Sequence, residues 1–410
     1  MNQPLPHPAA TRAAAISLAQ RRPFLLALAL SLGAAISLGL SRFSYALLLP
    51  PMRADLGWSY FLSGAMNTAN ALGYFIGALL MPALLRRCRA QTPLVGGAVL
   101  AGLAMMASSL VVDASLLMVQ RLLAGIASSL IFIAGGVLVA RLSSLHPQRA
   151  GLLIGMYYGG TGLGILVSAL LVPFALAMAL AHGAAHQWQW AWLALGAVCL
   201  LATVVMALVA SRIDGAPAPA GSHGHFRLKP FAFGLAGYLM FGVGYIAYMT
   251  FVVALLKEQG MRGPTITWFY GALGVAVMAS SRIWAGMLDR FKGGQSMAIL
   301  NGLLGVATLL PALTAWPPLV FVSGLMFGGI FLSVVASTTA LVRHNLPPHA
   351  WSAGISAFTT VFAFGQIVGP SAIGWIADGA GGLQRGLGFS ALALFIGAAL
   401  ASRQRALPGG

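Results

Sequence analysis

Long apolar runs separated by short polar breaks make up most of the chain. Runs of about 20 residues, enough to cross a bilayer core as helix, recur near 24–49, 60–84, 93–112, 115–140, 151–173, 189–211, 230–256, 265–288, 296–313, 317–342, 351–377 and 386–402. The apolar positions are continuous and show no period of two. That pattern predicts membrane-spanning helices and not the alternating strands of a barrel. The widest polar break, "RIDGAPAPAGSHGHFRL" at 212–228, is rich in Pro, Gly, Ser and His and reads as a linker. It divides the chain into a tail at 1–22, a six-helix bundle at 23–211, the linker at 212–228, a second six-helix bundle at 229–404, and a tail at 405–410. The expected fold class is therefore an all-α integral membrane protein of twelve transmembrane helices in two bundles.

Composition agrees with this pattern. Of 410 residues, 59% are hydrophobic and 7% are charged, where a soluble domain carries about a quarter charged. Such a surface is solvated by lipid. The formal charge of +17 does not indicate nucleic acid, because the cations lie in short loops and not on one basic face. Their distribution sets an orientation instead. With the N-terminus inside, the inner segments hold sixteen Lys and Arg residues and the outer loops hold four, namely Arg53, Lys257, Arg262 and Arg385. The positive-inside rule then places both termini in the cytoplasm.

Several local patterns carry less than they suggest. "RRPFLLALAL" from Arg21 resembles a twin-arginine signal, but its apolar run is too long and no small-residue cleavage site follows. "WQWAW" at 188–192 reads as an interfacial aromatic belt. His223 and His225 have no companion ligands and read as solvated loop residues. Cys88 and Cys199 suggest neither a disulfide framework nor a metal site, and no cofactor is expected.

The two halves echo each other. "GMYYGGTGLG" from Gly155 pairs with "GQIVGPSAIG" from Gly365, and the spans ending near 140 and 342 are similarly small-residue-rich. The chain resembles a major facilitator superfamily transporter over nearly its full length. "GLSRFSYALLLPPMRADLGWSYFLSGAMNTANALGYFIG" further resembles the bacterial YbfB/YjiJ-type branch. "GMLDRFKGG" resembles the superfamily loop signature between spans eight and nine, and Arg121 to Gly125 its span-four signature. The loop "PALLRRCRAQ" lacks the matching Asp, and Gly286 stands one residue nearer Asp289 than the signature has it. The resemblance implies two pseudo-symmetric bundles that alternate access to a site near the bilayer midplane. It also implies an inner gate at Asp289 and Arg290, and hinge or packing roles for Gly155, Gly159, Gly365, Gly369 and Pro370.

The candidate chemistry lies in three cations inside spans: Arg42, Arg121 and Arg282. A guanidinium at bilayer centre costs about 2.5 to over 10 kcal/mol. The six acids, Asp55, Asp113, Asp214, Glu258, Asp289 and Asp378, all lie in loops or at span ends. A bound anion would compensate the arginines, because a guanidinium pairs with carboxylate through two parallel bonds. The expected cargo is a small organic anion such as a carboxylate. The alternative for Arg42 and Arg282 is a bond to helix-end carbonyls that only fixes packing. Asn67, Asn70, Tyr157, Tyr245, Tyr248 and Gln366 are candidate orienting groups, with interhelical bonding as their alternative. An exporter of hydrophobic or cationic compounds is the rival function, although no membrane acid is present to match a cation. An intramembrane enzyme is remote, since no nucleophile–base set or metal-ligand motif lies at membrane depth. The expected partners are the bilayer and a small solute, with no nucleic acid and a monomeric chain.

Overall fold

Backbone amides shielded from water must bond within their own segment, and the protein meets this with helices joined by short turns. The computed structural model describes residues 21–213 and 226–407, so His223 and His225 lie outside the described residues. The long helices are α1 Pro23–Leu56, α2 Tyr60–Arg87, α3 Gln91–Ser108, α4 Ala114–Ser144, α5 Ala150–Ala181 and α6 Gln187–Ala210. They continue with α7 Ala232–Glu258, α8 Gly263–Ile283, α9 Gln295–Leu313, α10 Pro317–Asn345, α11 Trp351–Ala377 and α12 Gly382–Ser402. Eleven helices are long and apolar enough to cross a membrane. The 21-residue α8 occupies the remaining expected span.

The span expected at 265–288 is shorter than its apolar run. It stops at Ile283, and a separate short helix follows over Ala285–Arg290. Trp284 at the break donates its indole N–H to the Gly329 carbonyl of α10 at 2.7 Å. Conversely, α5 runs through Pro173 to Ala181, beyond its expected end.

The interior of α1 departs from α geometry. Residues Ala35–Phe43 form a π-helix between two α segments. The Ser44 N–H reaches back five residues to the Gly39 carbonyl at 3.1 Å. Gly39 lies against α5, where an added Cβ would sit 2.4 Å from the Gly164 Cα. The wide turn and this backbone contact together rotate Arg42 inward. Such π segments recur at functional sites.

In the first half, α2 and α3 pack on α4, α3 on α6, and α1 on α5. In the second, α7 and α9 pack on α12, α7 on α11, and α8 on α10. Two seams join the halves, α2 against α11 and α5 against α8, with the last segment of α1 on α7. Without a hydrophobic force between helices in lipid, small residues allow this approach. A Cβ at Gly162 would fall 2.3 Å from the Gly274 carbonyl oxygen, and one at Gly64 would fall 2.2 Å from that of Pro370. The expected hinge glycines divide differently. Gly365 and Gly369 press on the Leu239 and Val243 carbonyls of α7, inside their own half. Gly159 faces Met278 across the α5–α8 seam, Pro370 is buried on the α2–α11 seam, and Gly155 is half-buried on α5.

Candidate functional site

The π segment of α1 delivers Arg42 to the middle of the molecule, where it is 2% exposed. Its Nη2 donates to Gln366 Oε1 on α11 at 2.6 Å. The Tyr245 hydroxyl of α7 donates to the same oxygen at 2.6 Å. The guanidinium carbon lies 5.7 Å from the centre of the Tyr74 ring on α2. Its buried Nε has no partner. A full positive charge therefore rests on one shared amide oxygen and an aromatic face. Neither Arg42 nor Arg121 pairs with a carboxylate among the described residues.

Arg121 of α4, whose Nε is likewise buried without a partner, has more acceptors. Nη1 donates to the Ser41 carbonyl at 2.7 Å and Nη2 to Asn67 Oδ1 at 3.0 Å. The group lies over the Tyr45 and Trp192 rings. Asn70 donates to the Arg121 carbonyl at 3.1 Å, and its own Oδ1 is buried without a partner. Arg121 thus fixes the backbone residue immediately before Arg42. Asn67 also donates to Thr250 Oγ1 on α7 at 2.6 Å, carrying the network across the seam.

Arg282 departs from expectation: its side chain is exposed. The α8 break at Trp284 ends the span one residue past it, so it lies at a helix end and not at depth. Gly271, Gly274 and Met278 touch α5 along one face of α8. Arg282 follows Met278 by one turn on that face.

The remaining candidates have separate placements. The Tyr157 hydroxyl donates to the Phe132 carbonyl of α4 at 2.8 Å. The Tyr248 hydroxyl meets Ser323 of α10 at 2.7 Å, and its ring stacks on Phe327. Both hydroxyls bind helices within their own half. The Tyr245 ring instead belongs to an aromatic wall with Phe241, Phe331 and Phe362. Asp289 and Arg290 are both exposed, and Arg290 lies over Phe291. The tryptophans of 188–192 are not simply a belt. Trp190 is 40% exposed, but Trp188 and Trp192, one turn apart, are each 1% exposed. Trp188 donates to Asp55 at 2.6 Å, and Trp192 underlies Arg121. Partners on neighbouring helices draw them inward, which a local sequence pattern does not reveal.

A seal across the halves was not foreseen in the sequence. The Tyr60 and Phe61 N–H groups, at the start of α2, donate to the Asp378 carboxylate at 2.7 and 2.8 Å. The Tyr60 hydroxyl donates to Glu258, and Arg53 lies 3.8 Å from the centre of the Tyr60 ring. Thr68 donates to the Ile367 carbonyl at 2.7 Å, and Tyr270 to that of Phe43 at 2.7 Å. These bonds between the halves lie at the level of Arg42 or toward the turns at 57–59, 259–262 and 378–381. The scarcity of acids was the one signal that could have marked Asp378 and Glu258. Among the described residues no group of His, Cys, Asp or Glu could hold a metal, and both cysteines are free.

The architecture matches solved transporters. A bacterial homolog of the human lysosomal transporter Spinster, inward-facing and unoccupied, superposes with TM-score 0.69 at 14% identity, over 92% of this chain and 95% of that one. The nucleoside transporter NupG, in a single-residue mutant form, superposes with TM-score 0.72 at 13% identity, over 92% and 99%. In sequence, the chain is 28% identical over 211 residues to a chloramphenicol efflux pump of Mycobacterium tuberculosis strain ATCC 25618 / H37Rv. It is 27% identical over 208 residues to the pump of strain CDC 1551 / Oshkosh. Each match covers 50% of this chain and 49% of the relative, so the chain spans about half the length of the curated relatives it matches. The model of a family described as "Uncharacterised MFS-type transporter YbfB" matches residues 34–402. Signature residues, helical architecture and this match agree: the chain belongs to the YbfB-type family of major facilitator superfamily transporters.

Proposed function

We infer that the protein carries a small organic anion, such as a carboxylate, across the bacterial inner membrane. The halves at 23–211 and 229–404 would rock about the Arg42 level, with both termini cytoplasmic. The observation that carries this reading is Arg42: a buried guanidinium with a free Nε and one neutral acceptor. A buried charge without a counter-ion is costly, and an anion entering beside Gln366 and Tyr245 would remove that cost. Tyr245 and Gln366 orient the cargo, and Arg121, Asn67 and Asn70 hold Arg42 in place. Arg282, exposed at the end of α8, attracts the anion toward the site. Asp289 and Arg290 are the inner gate, disengaged while that side is open.

Uptake by proteoliposomes of a carboxylate panel tests this. Arg42→Gln is expected to cut anion uptake at least about tenfold, the effect of losing one charge-assisted bond of more than 1.4 kcal/mol. Its melting temperature should hold or rise, because an unpaired buried charge has been removed. Anion uptake unchanged in Arg42→Gln would defeat the reading.

A second reading has its own support: the two relatives are named chloramphenicol efflux pumps. Export of an uncharged aromatic compound would use the wall of Tyr245, Phe331 and Phe362 more than the charge. Drug tolerance of cells expressing the protein separates the two. Tolerance conferred equally by wild type and Arg42→Gln favours this second reading.

A further inference from the structure

Far from Arg42, the end of the bundle that carries the linker and the C-terminus holds a cavity of about 690 Å³. Its walls are Lys229, Pro230, Phe233, Ser402, Arg403, Gln404, Arg405 and Leu407. Three are cations and none is an acid. We propose that this cavity is a binding site for the headgroup of an anionic phospholipid.

The cavity is built and not a fold of loose tail. Gln404 is 3% exposed, and its amide binds in both directions. Its Nε2 donates to the Pro230 carbonyl at 3.0 Å, and its Oε1 accepts the Gly234 N–H at 3.0 Å. Its carbonyl accepts the Gly294 N–H at 2.8 Å. The Leu407 N–H donates to Asn345 Oδ1 at 2.6 Å. The segment after α12 is thus tied to the start of α7, the turn before α9 and the end of α10. This fixes the backbone from which Arg403 and Arg405 project beside Lys229, and all three side chains are exposed.

The chemistry selects the ligand. Three cations without an acid attract a phosphodiester, and the start of α7 adds the positive end of a helix dipole. Phe233, 43% exposed in the wall, and the adjacent Leu228, 58% exposed, give acyl chains an apolar surface. A basic pocket with an apolar lip at a membrane-proximal helix end suits a lipid and not a freely soluble anion.

Native mass spectrometry of the full chain, supplied with phosphatidylglycerol or phosphatidylcholine, tests the site. Wild type is expected to keep phosphatidylglycerol adducts and to gain thermal stability from that lipid, but not from phosphatidylcholine or inorganic phosphate. Adduct affinity should fall about fivefold for each cation removed in Lys229→Gln, Arg403→Gln and Arg405→Gln. The triple variant Arg86→Gln, Arg87→Gln and Arg89→Gln removes three cations from the end of α2 and its following turn, away from the cavity, and should keep the adducts. Equal loss in both triple variants, or equal binding of phosphatidylcholine, would overturn the proposal. Stabilisation by inorganic phosphate equal to that by phosphatidylglycerol would also overturn it, in favour of a soluble anion. Since the three side chains are exposed, lipid-free melting of the variants should match wild type.

Discussion

Arg42 and Arg121 are alike in the sequence and unlike in the molecule. Both are buried and both stand near Tyr rings, but Arg121 has two oxygen acceptors and two aromatic faces, while Arg42 has one shared amide oxygen. The physical consequence is opposite. Arg121→Gln strands the Ser41 carbonyl and one bond of Asn67, so it should destabilise the fold by about 1–3 kcal/mol. A lower melting temperature, with residual transport in the protein that remains folded, is the expected result. Arg42→Gln, in contrast, should trade transport for stability. How each arginine is held could not be read from residue type or depth, because it depends on acceptors as far away in the chain as Gln366. Arg282 shows the reverse case: its depth was inferred from an apolar run, and a helix break at Trp284 cancels that depth.

At the level of elements, hydrophobic runs located the helices well because lipid leaves a backbone no alternative to internal bonding. They did not reveal the π segment of α1, within which Gly39 meets Gly164 more than a hundred positions away. Nor did glycine content reveal which glycines meet across the seams. Gly365 and Gly369 are close to α7 in their own half, while Gly162 and Gly274 carry the α5–α8 crossing. A side chain at position 162 would strike the Gly274 carbonyl. Gly162→Val should therefore wedge that seam open. Distance measurements between labels at Leu180 and Trp268, both exposed, should show a longer population than in the unsubstituted background. An unchanged distance distribution would mean that the seam accommodates a side chain at this crossing without opening.

Across the whole molecule, hydrogen bonds join the halves at the level of Arg42 and toward the turns at 57–59, 259–262 and 378–381. Asp378 caps α2 from the opposite half, so its charge opposes separation of the halves there. Asp378→Asn keeps the shape and removes the charge. It should weaken the seal by about 1 kcal/mol, which is seen as faster modification of a cysteine placed at Thr68. Equal modification rates would assign the seal to the surrounding packing instead. The sequence by itself determined the class of solvent, the helical elements and the family, because hydrophobicity, length and signature residues are local quantities. Only the tertiary structure decided which acceptors each buried arginine has, which glycines touch and which acids seal the halves. Each of those depends on distances between residues that the chain order does not place together.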